Sequence, residues 1–313
     1  MSRPLVFIDG EAGTTGLQIA ARLAARDDLR LLQIDAARRK DTQARADCLN
    51  HADVAILCLP DDAAREAVTL AAGRTRILDA STAHRTAPDW AYGLPELDPD
   101  ARNRIASAQF VSNPGCYPQG FILFVRPLID AGLLSTATPL RCNAISGYSG
   151  GGRQMIEAHR GYDAAQADRL NVQAYGLTLT HKHVPEMQHY SGTSITPIFA
   201  PSVAHYYKGM LVEVPLFASE VSNASPEKVH QVLAQRYAGE PFVSVLPFGA
   251  DGAENGYLNP TACNDSNRLE LMVLGNDEQF RLIARYDNLG KGAAGAAVQN
   301  LNLMLGVAEE TSL

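Results

Sequence analysis

The sequence predicts an α/β domain built on a parallel sheet, followed by an α+β domain whose sheet is mostly antiparallel. In the first half, short apolar runs alternate with helical segments, as they do in parallel sheets with right-handed crossovers. In the second half, strand-like runs follow one another closely, which is typical of antiparallel sheets. The length of 313 residues suffices for about two domains.

The first half is expected to contain five strands and at least two helices. The strands are predicted at residues 4–9, 29–34, 52–60, 76–81 and 108–115. The helices are predicted at residues 17–26 and 61–72, and the second carries acidic residues in its first turn, where the helix dipole favours them. The run VAILCL within residues 52–60 is continuously apolar. Such runs are typical of parallel strands buried on both faces.

The second half is expected to contain closely spaced strands and a few helices. The strands are predicted at residues 140–145, 210–217, 268–275 and 279–287. One helix is predicted at residues 225–239, and another, rich in small residues, at 292–308. The domain boundary is predicted near Gly115.

Composition excludes several classes of protein. The 27 basic and 34 acidic side chains give a net charge of −7, which disfavours a nucleic-acid binder because such proteins carry a basic face. No apolar run reaches the ~18 residues of a membrane span. The N-terminal residues lack the charged and apolar regions of a signal peptide. We therefore expect a cytoplasmic protein that binds neither nucleic acid nor membrane.

The five cysteines are scattered and form no CxxC pair. Their spacing indicates neither a zinc site nor a disulfide framework, and free thiols are typical of a reducing compartment. Cys58 and Cys142 lie in apolar, strand-like surroundings. We expect both to be inert core residues, because free cysteine often packs as a small hydrophobic side chain.

A glycine-rich loop follows the first strand and predicts a dinucleotide site of the Rossmann type. Gly10, Gly13 and Gly16 have the spacing GxxGxxG rather than the usual GxGxxG. A helix is expected to begin near Thr15, so Thr14 and Thr15 belong to the same candidate site. Glycines let the backbone approach a pyrophosphate, which binds at the helix N-terminus. The alternative is a tight turn with no ligand.

Charged residues after the second predicted strand bear on the choice of cofactor. Asp35 stands where an acidic residue normally binds the ribose hydroxyls of NAD. Arg38, Arg39 and Lys40 follow at once, and cations there suit the 2′-phosphate of NADP. We predict NADP, mainly on Arg38. The alternative is a solvated charged turn.

Cys116 lies in the segment SNPGCYPQG, residues 112–120, between two sets of turn-forming residues. An apolar helical run follows, which places the cysteine at a helix N-terminus. That position lowers the pKa of a thiol and favours the reactive thiolate. Nearby backbone N–H groups can also stabilise an oxyanion. We therefore predict that Cys116 is a nucleophile.

A thiolate in catalysis needs a partner for proton transfer. The segment THKHVPEMQHY provides His181, His183, Glu186 and His189. If the H-x-H pair lay on a strand, both rings would face the same side, as in some metal sites. No third ligand is evident, and no metal is predicted.

The chain resembles the N-acetyl-gamma-glutamyl-phosphate reductases of the shorter type. SNPGCYPQG is similar to the active-site cysteine motif of that family, and GEAGTTG to its nucleotide loop. DASTAHRT, YGLPEL, ISGYSGGGR, HKHVPEM and DNLGKGAAGAAVQNLNLM resemble further family segments, in the family order. The matches extend from Gly10 to Met304. Several motifs in one order are far more specific than any single motif.

Four positions depart from the family pattern. Gln119 stands where the family usually has threonine, Gly290 where relatives often have valine, and Ala296 where they often have glutamine. Asp35 lies where relatives often carry a small hydroxyl residue. A carboxylate there would repel a nearby 2′-phosphate, which bears on the preference for NADP.

The resemblance implies a domain arrangement and a reaction. A C-terminal helix completes the nucleotide domain, giving residues 1–115 with 290–313 for that domain and 116–289 for the catalytic and oligomerisation domain. The resemblance implies that Cys116 attacks N-acetyl-glutamyl 5-phosphate, releases phosphate and forms a thioester, which NADPH reduces to the semialdehyde. It also implies a homodimer or homotetramer.

The resemblance implies further site residues. His183 is the expected acid/base and His181 the reserve candidate, while Glu186 either orients a histidine or binds the substrate amide. Arg85 and Arg153 are expected to anchor phosphate or carboxylate groups, because guanidinium binds both bidentately. The remaining candidates are Asn113 and Gly150 for substrate, and Ser81 and Asn288 for cofactor.

Three alternatives remain open from the sequence. The first is a related reductase that acts on aspartyl phosphate, whose chain is one methylene shorter. The second is a cysteine hydrolase or acyltransferase, for which the nucleotide loop would have no use. The third is a nucleotide-sensing protein without catalysis, against which the joint presence of Cys116 and His183 argues.

Overall fold

The computed structural model describes residues 3–222, 225–249 and 252–313. The chain divides into two compact units. The first comprises the described residues up to Pro114 together with Ala293–Leu313, and the second comprises the described residues of Gly115–Gly292. No helix of the described residues is long and apolar enough to cross a membrane.

The first unit contains a parallel sheet of six strands. The strands are β1 (Leu5–Asp9), β2 (Arg30–Leu32), β3 (Val54–Leu57), β4 (Arg76–Asp79), β5 (Ala91–Tyr92) and β6 (Phe110–Ser112). Their order is β2-β1-β3-β4-β6-β5, and every neighbouring pair is parallel. The helices are α1 (Thr14–Leu23), α2 (Thr42–His51), α3 (Asp61–Leu70), α4 (Ala101–Ser107) and, from the C-terminal part, α10 (Gly295–Leu305).

Apolar side chains cover both faces of this sheet. In β1, Val6 and Ile8 pack into a core with α1, α4 and α10, whereas Phe7 between them packs into a second core with α2 and α3. Successive side chains of a strand point to opposite faces, which accounts for the division. The predicted α/β architecture is confirmed. The strand predicted at 29–34 is shorter, and the helices α2 and α4 and strand β5 were not predicted.

The second unit contains a mixed sheet of seven strands. The strands are β7 (Arg141–Gly147), β8 (Val172–Ala174), β9 (Ile198–Ala204), β10 (Met210–Phe217), β11 (Val243–Val245), β12 (Leu269–Gly275) and β13 (Gln279–Tyr286). Their order is β11-β12-β13-β10-β7-β9-β8. The pairs β10–β13, β10–β7, β12–β13 and β8–β9 are antiparallel, while β11–β12 and β7–β9 are parallel. The predicted, mostly antiparallel sheet is thus confirmed.

The second unit also contains α-helices, some of which cover one face of this sheet. They are α5 (Cys116–Asp130), α6 (Gly152–Arg160), α7 (Ala164–Arg169), α8 (Val184–Ser191) and α9 (Pro226–Arg236). α5 packs on β10 and β13, α9 packs on β12, and α8 packs against α5. The buried residues of β10, such as Val212, alternate with partly exposed ones such as Leu211, which lie on the other face. α5 is therefore a central helix, and its burial fixes the position of its first residue.

Candidate active site

Cys116 is the first residue of α5, as predicted, and its side chain is partly exposed. Gly115 is the N-cap and has an extended conformation, with φ −67° and ψ 155°. The N–H of Gly115 donates a hydrogen bond to Oε1 of Glu186 at 2.6 Å, and Glu186 is buried. The α8 carboxylate therefore fixes the turn that precedes the cysteine. The positive end of the helix dipole lies at Cys116 and favours a thiolate.

Residues close to the C-terminal end of the second unit contact Cys116 and the first turn of α5. The hydroxyl of Tyr286 donates to the carbonyl oxygen of Cys116 at 2.6 Å. Nε2 of Gln119 donates to the carbonyl oxygen of Lys291 at 2.8 Å. A Cβ atom on Gly292 would lie 3.1 Å from Cβ of Cys116, so this glycine permits a close approach of the backbone. The first turn of α5 is thus fixed from two directions.

The other four cysteines have less reactive thiols. Burial raises the pKa of Cys48 and Cys263, and raises that of Cys142 further. Cys58 is partly exposed as a residue, but burial of its thiol raises its pKa to about 12. A raised pKa disfavours the thiolate, which is the nucleophilic form. None of the five cysteines, all of which the structure describes, forms a disulfide.

His181 and His183 lie in the turn before α8, where His183 is the N-cap, and not on a strand. The condition considered from the sequence, an H-x-H pair on a strand, is therefore not met. Pro185 in the first turn of α8 gives the physical reason, because proline fits a helix start. The two rings nevertheless meet, with centroids 4.8 Å apart and planes at 72°. No group of three or more potential metal ligands occurs among the residues that the structure describes.

Tyr117 connects these histidines to the cysteine. Its ring lies 5.8 Å from the ring of His183 and 6.2 Å from that of His181, measured between centroids, and it directly follows Cys116 in the chain. Its hydroxyl accepts a hydrogen bond of 2.9 Å from the hydroxyl of Tyr175. Burial raises the pKa of Tyr117 well above its usual value and that of Tyr175 to about 12, so both stay protonated at neutral pH. His183 is buried, whereas His181 is partly exposed.

The glycine-rich loop after β7 lies against Asn288. The Nδ2 atom of Asn288 donates to Oγ of Ser149 at 2.9 Å, and its Oδ1 accepts from the N–H of Gly209 at 2.8 Å. A Cβ atom on Gly150 would lie 3.5 Å from Nδ2 of Asn288. The structure therefore brings Gly150 and Asn288 together. Asn288 is buried.

Arg153 lies in the first turn of α6, next to this loop. Its Nε atom pairs with Oε1 of Glu157 at 2.9 Å, and three quarters of its side chain is exposed. The Arg153 guanidinium is thus held on the solvent side of α6 in this structure. Its role as a substrate anchor stays a prediction.

The nucleotide loop of the first unit needs glycine at two positions. Gly10 has φ +89°, and a Cβ atom there would lie 2.4 Å from the carbonyl oxygen of Cys58. A Cβ atom on Gly16 would lie 2.5 Å from the carbonyl oxygen of Gly10. α1 begins at Thr14, after the N-cap Gly13. The loop therefore turns tightly into the helix N-terminus, a geometry suited to a pyrophosphate.

Asp35 and Arg38 lie in the turn that follows β2. The Oδ1 atom of Asp35 accepts a hydrogen bond from the N–H of Ala37 at 2.9 Å and caps a short 3₁₀ helix that ends at Arg38. Arg38 pairs with Asp41 at 3.0 Å, and both side chains are largely exposed. Asp35 is thus engaged in the backbone turn, and Arg38 remains accessible to a ligand.

Ser81 lies just beyond the carboxyl end of β4. Its Oγ donates to Oδ2 of Asp79 at 2.7 Å, and its N–H donates to Oδ1 of the same residue at 2.9 Å. Nδ1 of His84 also lies 2.6 Å from Oδ2 of Asp79, and the His84 ring stacks on Trp90 with centroids 4.1 Å apart. Asp79 and His84 were not singled out from the sequence, although both lie in the segment DASTAHRT.

Arg85 and Asn113 lie together in the first unit. Nε of Arg85 donates to the carbonyl oxygen of Asn113 at 3.0 Å, and Arg85 is buried. The amide of Asn113 donates to the carbonyl oxygen of Ala293 at 3.1 Å and accepts from Asn300 at 3.1 Å. Two of the predicted substrate residues therefore meet at the carboxyl end of β6, where ligands bind in open α/β sheets.

Comparisons with protein families match both units. Residues 116–288 match the family model described as semialdehyde dehydrogenase, dimerisation domain. Residues 32–105 match the model described as semialdehyde dehydrogenase, NAD binding domain.

Curated relatives match along the whole chain. The sequence is 52% identical to N-acetyl-gamma-glutamyl-phosphate reductase 2 of Nostoc sp., covering 100% of each chain. It is 51% identical to N-acetyl-gamma-glutamyl-phosphate reductase of Brucella ovis, covering 97% of this chain and 99% of the relative.

Solved structures share the fold at low sequence identity. Aspartate semialdehyde dehydrogenase II of Vibrio cholerae superposes with a TM-score of 0.75 at 16% identity, covering 98% of this chain and 99% of that one. Aspartate semialdehyde dehydrogenase of Candida albicans has a TM-score of 0.65 at 13% identity, covering 97% and 99%. At these identities the likeness concerns the fold alone.

Proposed function

Because the chain belongs to the N-acetyl-gamma-glutamyl-phosphate reductase family, we propose that it reduces N-acetyl-glutamyl 5-phosphate to N-acetyl-glutamate 5-semialdehyde and phosphate in arginine biosynthesis. The enzyme is an oxidoreductase that uses NADPH. One structural observation carries the assignment of chemistry: a partly exposed Cys116 begins the buried helix α5, while burial raises the pKa of the other four cysteines.

Cys116 is the nucleophile of the proposed reaction. Its thiolate attacks the γ-carbonyl carbon of the acyl phosphate, the carbon–oxygen bond to phosphate breaks, and inorganic phosphate leaves with the electron pair. A thioester to Cys116 remains. When bound, NADPH supplies the hydride that reduces the thioester carbonyl. The carbon–sulfur bond then breaks, and the thiolate of Cys116 is restored as the semialdehyde forms.

His183 moves the proton in this scheme. It takes the Cys116 proton before attack and gives a proton to the hemithioacetal oxygen after reduction. It takes that proton back as the carbon–sulfur bond breaks and the aldehyde carbonyl forms, which is general acid–base catalysis. The assignment is supported by its buried position against Tyr117, the residue that follows Cys116 in the chain. His181, whose ring contacts the same tyrosine, is the reserve candidate. Glu186 is assigned to the same site, and its bond to Gly115 supports the turn before Cys116.

Four further residues are assigned to the substrate. Arg85 and Asn113 in the first unit bind a phosphate or carboxylate of the substrate. In the second unit, Gly150 allows close approach of the backbone, and Arg153 provides a further cation. Guanidinium groups bind such anions bidentately, which supports the two arginines.

NADP is assigned to the first unit, which we propose as the nucleotide-binding domain. The close approach at Gly10 and Gly16 leaves a cradle that a Cβ atom would fill, and α1 begins there, so the loop fits a pyrophosphate. Gly10, Gly13, Gly16, Thr14 and Thr15 would hold that group. Arg38 would bind the 2′-phosphate, and Ser81 completes the set. Asn288 of the second unit is assigned to the nicotinamide side.

We propose that the enzyme is a homo-oligomer, a dimer or tetramer, that works in the cytoplasm. The face of the second sheet opposite α5 carries exposed apolar residues, with Ile198 53% and Phe217 52% accessible, and the partly exposed Leu211 lies on the same face of β10 as Phe217. The matching family model is named for dimerisation. Light scattering on Leu211→Glu should give a lower mass than the parent, whereas Leu17→Glu, at an exposed position of α1, should not. Equal masses for all three proteins would remove the proposed interface.

The substrate is tested by the reverse reaction. The protein should reduce NADP with N-acetyl-glutamate semialdehyde only when phosphate is present. Its kcat/KM for aspartate semialdehyde should be lower, although one methylene in an apolar pocket is worth only about 1–3 kcal/mol. Turnover with aspartate semialdehyde alone would overturn the substrate and leave the reaction class standing. Phosphate-independent oxidation would overturn the acyl-phosphate chemistry.

A further inference from the structure

Tyr286, the last residue of β13, places its hydroxyl inside the first turn of α5. The hydroxyl donates to the carbonyl oxygen of Cys116 at 2.6 Å and accepts from the N–H of Gly120 at 3.2 Å. In a regular α-helix, the N–H of residue 120 bonds directly to the carbonyl oxygen of residue 116. The Tyr286 hydroxyl therefore bridges two backbone groups of the first turn that would otherwise bond directly to each other.

The surroundings are shaped to admit this hydroxyl. A Cβ atom on Gly120 would lie 3.0 Å from Oη of Tyr286, 2.8 Å from Cβ of Val212 and 3.1 Å from Cβ of Ala284. Glycine at position 120 thus leaves the space that the tyrosine uses. Tyr286 is fully buried, and burial raises its pKa well above the usual value. The hydroxyl therefore keeps its proton, and remains a donor, throughout the neutral pH range.

The bridge acts on the residue that carries the thiol. The carbonyl oxygen of Cys116 bears a partial negative charge close to its own side chain, and a hydrogen-bond donor on that oxygen offsets part of the charge. The same contact fixes the backbone of Cys116 against β13, and the direction of the side chain follows from the backbone.

We propose that Tyr286 is a positioning residue for Cys116: its hydroxyl fixes the first turn of α5 so that the thiolate is stabilised and aimed. The consequence for turnover rests on the proposed function, whereas the consequence for the thiol does not. Tyr286 has no contact with substrate in this assignment and acts only through Cys116.

The same helix provides a matched control. The hydroxyl of Tyr237 donates to the carbonyl oxygen of Leu123, also at 2.6 Å, and Tyr237 is buried. Leu123 lies about two turns of α5 beyond Cys116. Tyr286→Phe and Tyr237→Phe therefore each remove one buried hydroxyl from a carbonyl of α5, but only the first acts at the cysteine.

The test measures the rate of Cys116 alkylation by iodoacetamide against pH, followed by peptide mass spectrometry, in both variants and the parent. Tyr286→Phe should move the midpoint of this profile to higher pH, and Tyr237→Phe should leave it unchanged. Because small misplacements of a reacting group cost up to about 100-fold, kcat of Tyr286→Phe should fall by about 10-fold with KM within about twofold. Superimposed alkylation profiles for the two variants would overturn the assignment.

A second replacement at position 286 keeps the hydroxyl and so tests whether the hydroxyl is sufficient. 3-Fluorotyrosine placed at position 286 keeps both shape and hydroxyl and should restore the parent profile. If it reproduces the Phe profile instead, a hydroxyl at position 286 does not set the reactivity of Cys116, and the proposal is wrong. Alkylation needs no substrate, so a parent protein that fails to turn over N-acetyl-glutamate semialdehyde would count against the proposed function alone.

Discussion

Gly16 offers a test of the nucleotide loop whose size follows from the structure. A Cβ atom at this position would lie 2.5 Å from the carbonyl oxygen of Gly10, 2.8 Å from Cα of Glu11 and 2.9 Å from the carbonyl oxygen of Glu11. All three are backbone atoms, so no side-chain rotation relieves the overlap. In Gly16→Ala the loop must open by several tenths of an ångström, away from the geometry that suits a pyrophosphate.

The expected loss of affinity follows from the cost of overpacking. Forcing an extra methyl group into a packed site costs about 1–3 kcal/mol. Without cofactor the loop can relax around the new methyl group. The free-energy cost of the overlap therefore applies to the tight loop conformation that binds the cofactor. Since about 1.4 kcal/mol corresponds to a tenfold change, the Kd for NADP should rise by about 5- to 150-fold.

Two other glycines calibrate the measurement. In Gly13→Ala the new Cβ atom would lie 3.3 Å from the carbonyl oxygen of Gly10, a much smaller overlap, and the effect should be intermediate. In Gly161→Ala, after α6, the closest atom lies at 3.4 Å, and the Kd should not change. Calorimetric titration with NADP gives all three values. A Gly16→Ala protein that binds NADP as tightly as Gly161→Ala would refute the assignment of this loop.

Three other predictions concern the thiol, the cofactor and pH. Iodoacetamide at pH 7 should label Cys116 ahead of the other cysteines, since burial raises the pKa of each of the four; equal labelling of a second cysteine in native protein would contradict this. Arg38→Ala should weaken NADP binding by about tenfold, because one charge-assisted contact is lost, and should leave NAD binding unchanged. Equal losses of affinity for NADP and NAD would contradict a contact to the 2′-phosphate. Burial and His205 lower the pKa of His159 below 6.5, so the unfolded chain binds more protons and stability falls as pH drops through 6.5. Between pH 8 and 5.5 the melting temperature of His159→Gln should fall less than that of the parent protein. Parallel plots of melting temperature against pH for the two proteins would show that His159 does not cause the loss of stability.

Much of the fold follows from local sequence pattern. Continuous apolar runs such as VAIL in β3 predicted buried parallel strands, and the confirmed sheet has such a strand at its centre. The Pro-Gly turn before Cys116 predicted a helix start, because glycine and proline limit the backbone choices there. Two elements were not predicted because their sequences show no clear hydrophobic periodicity: β5 has two residues, and α2 is largely polar.

The contacts around Cys116 could not be predicted from local sequence patterns. Tyr286 lies 170 residues from Cys116 and reaches it only because β13 packs on α5. No spacing rule connects the two positions. The bond from Gly115 to Glu186 spans 71 residues and depends on how α8 packs against α5. The sequence could thus identify the reactive residue, whereas the groups that fix its orientation depend on tertiary packing.

The central claim is that Cys116 carries the acyl group, and trapping the thioester tests it most directly. The protein is incubated with N-acetyl-glutamate semialdehyde and NADP without phosphate, quenched in acid and digested for peptide mass spectrometry. The account predicts an N-acetyl-glutamyl adduct on the Cys116 peptide that disappears when phosphate is added before quenching, and no adduct in Cys116→Ser. An adduct on another residue, or full turnover by Cys116→Ser, would contradict it.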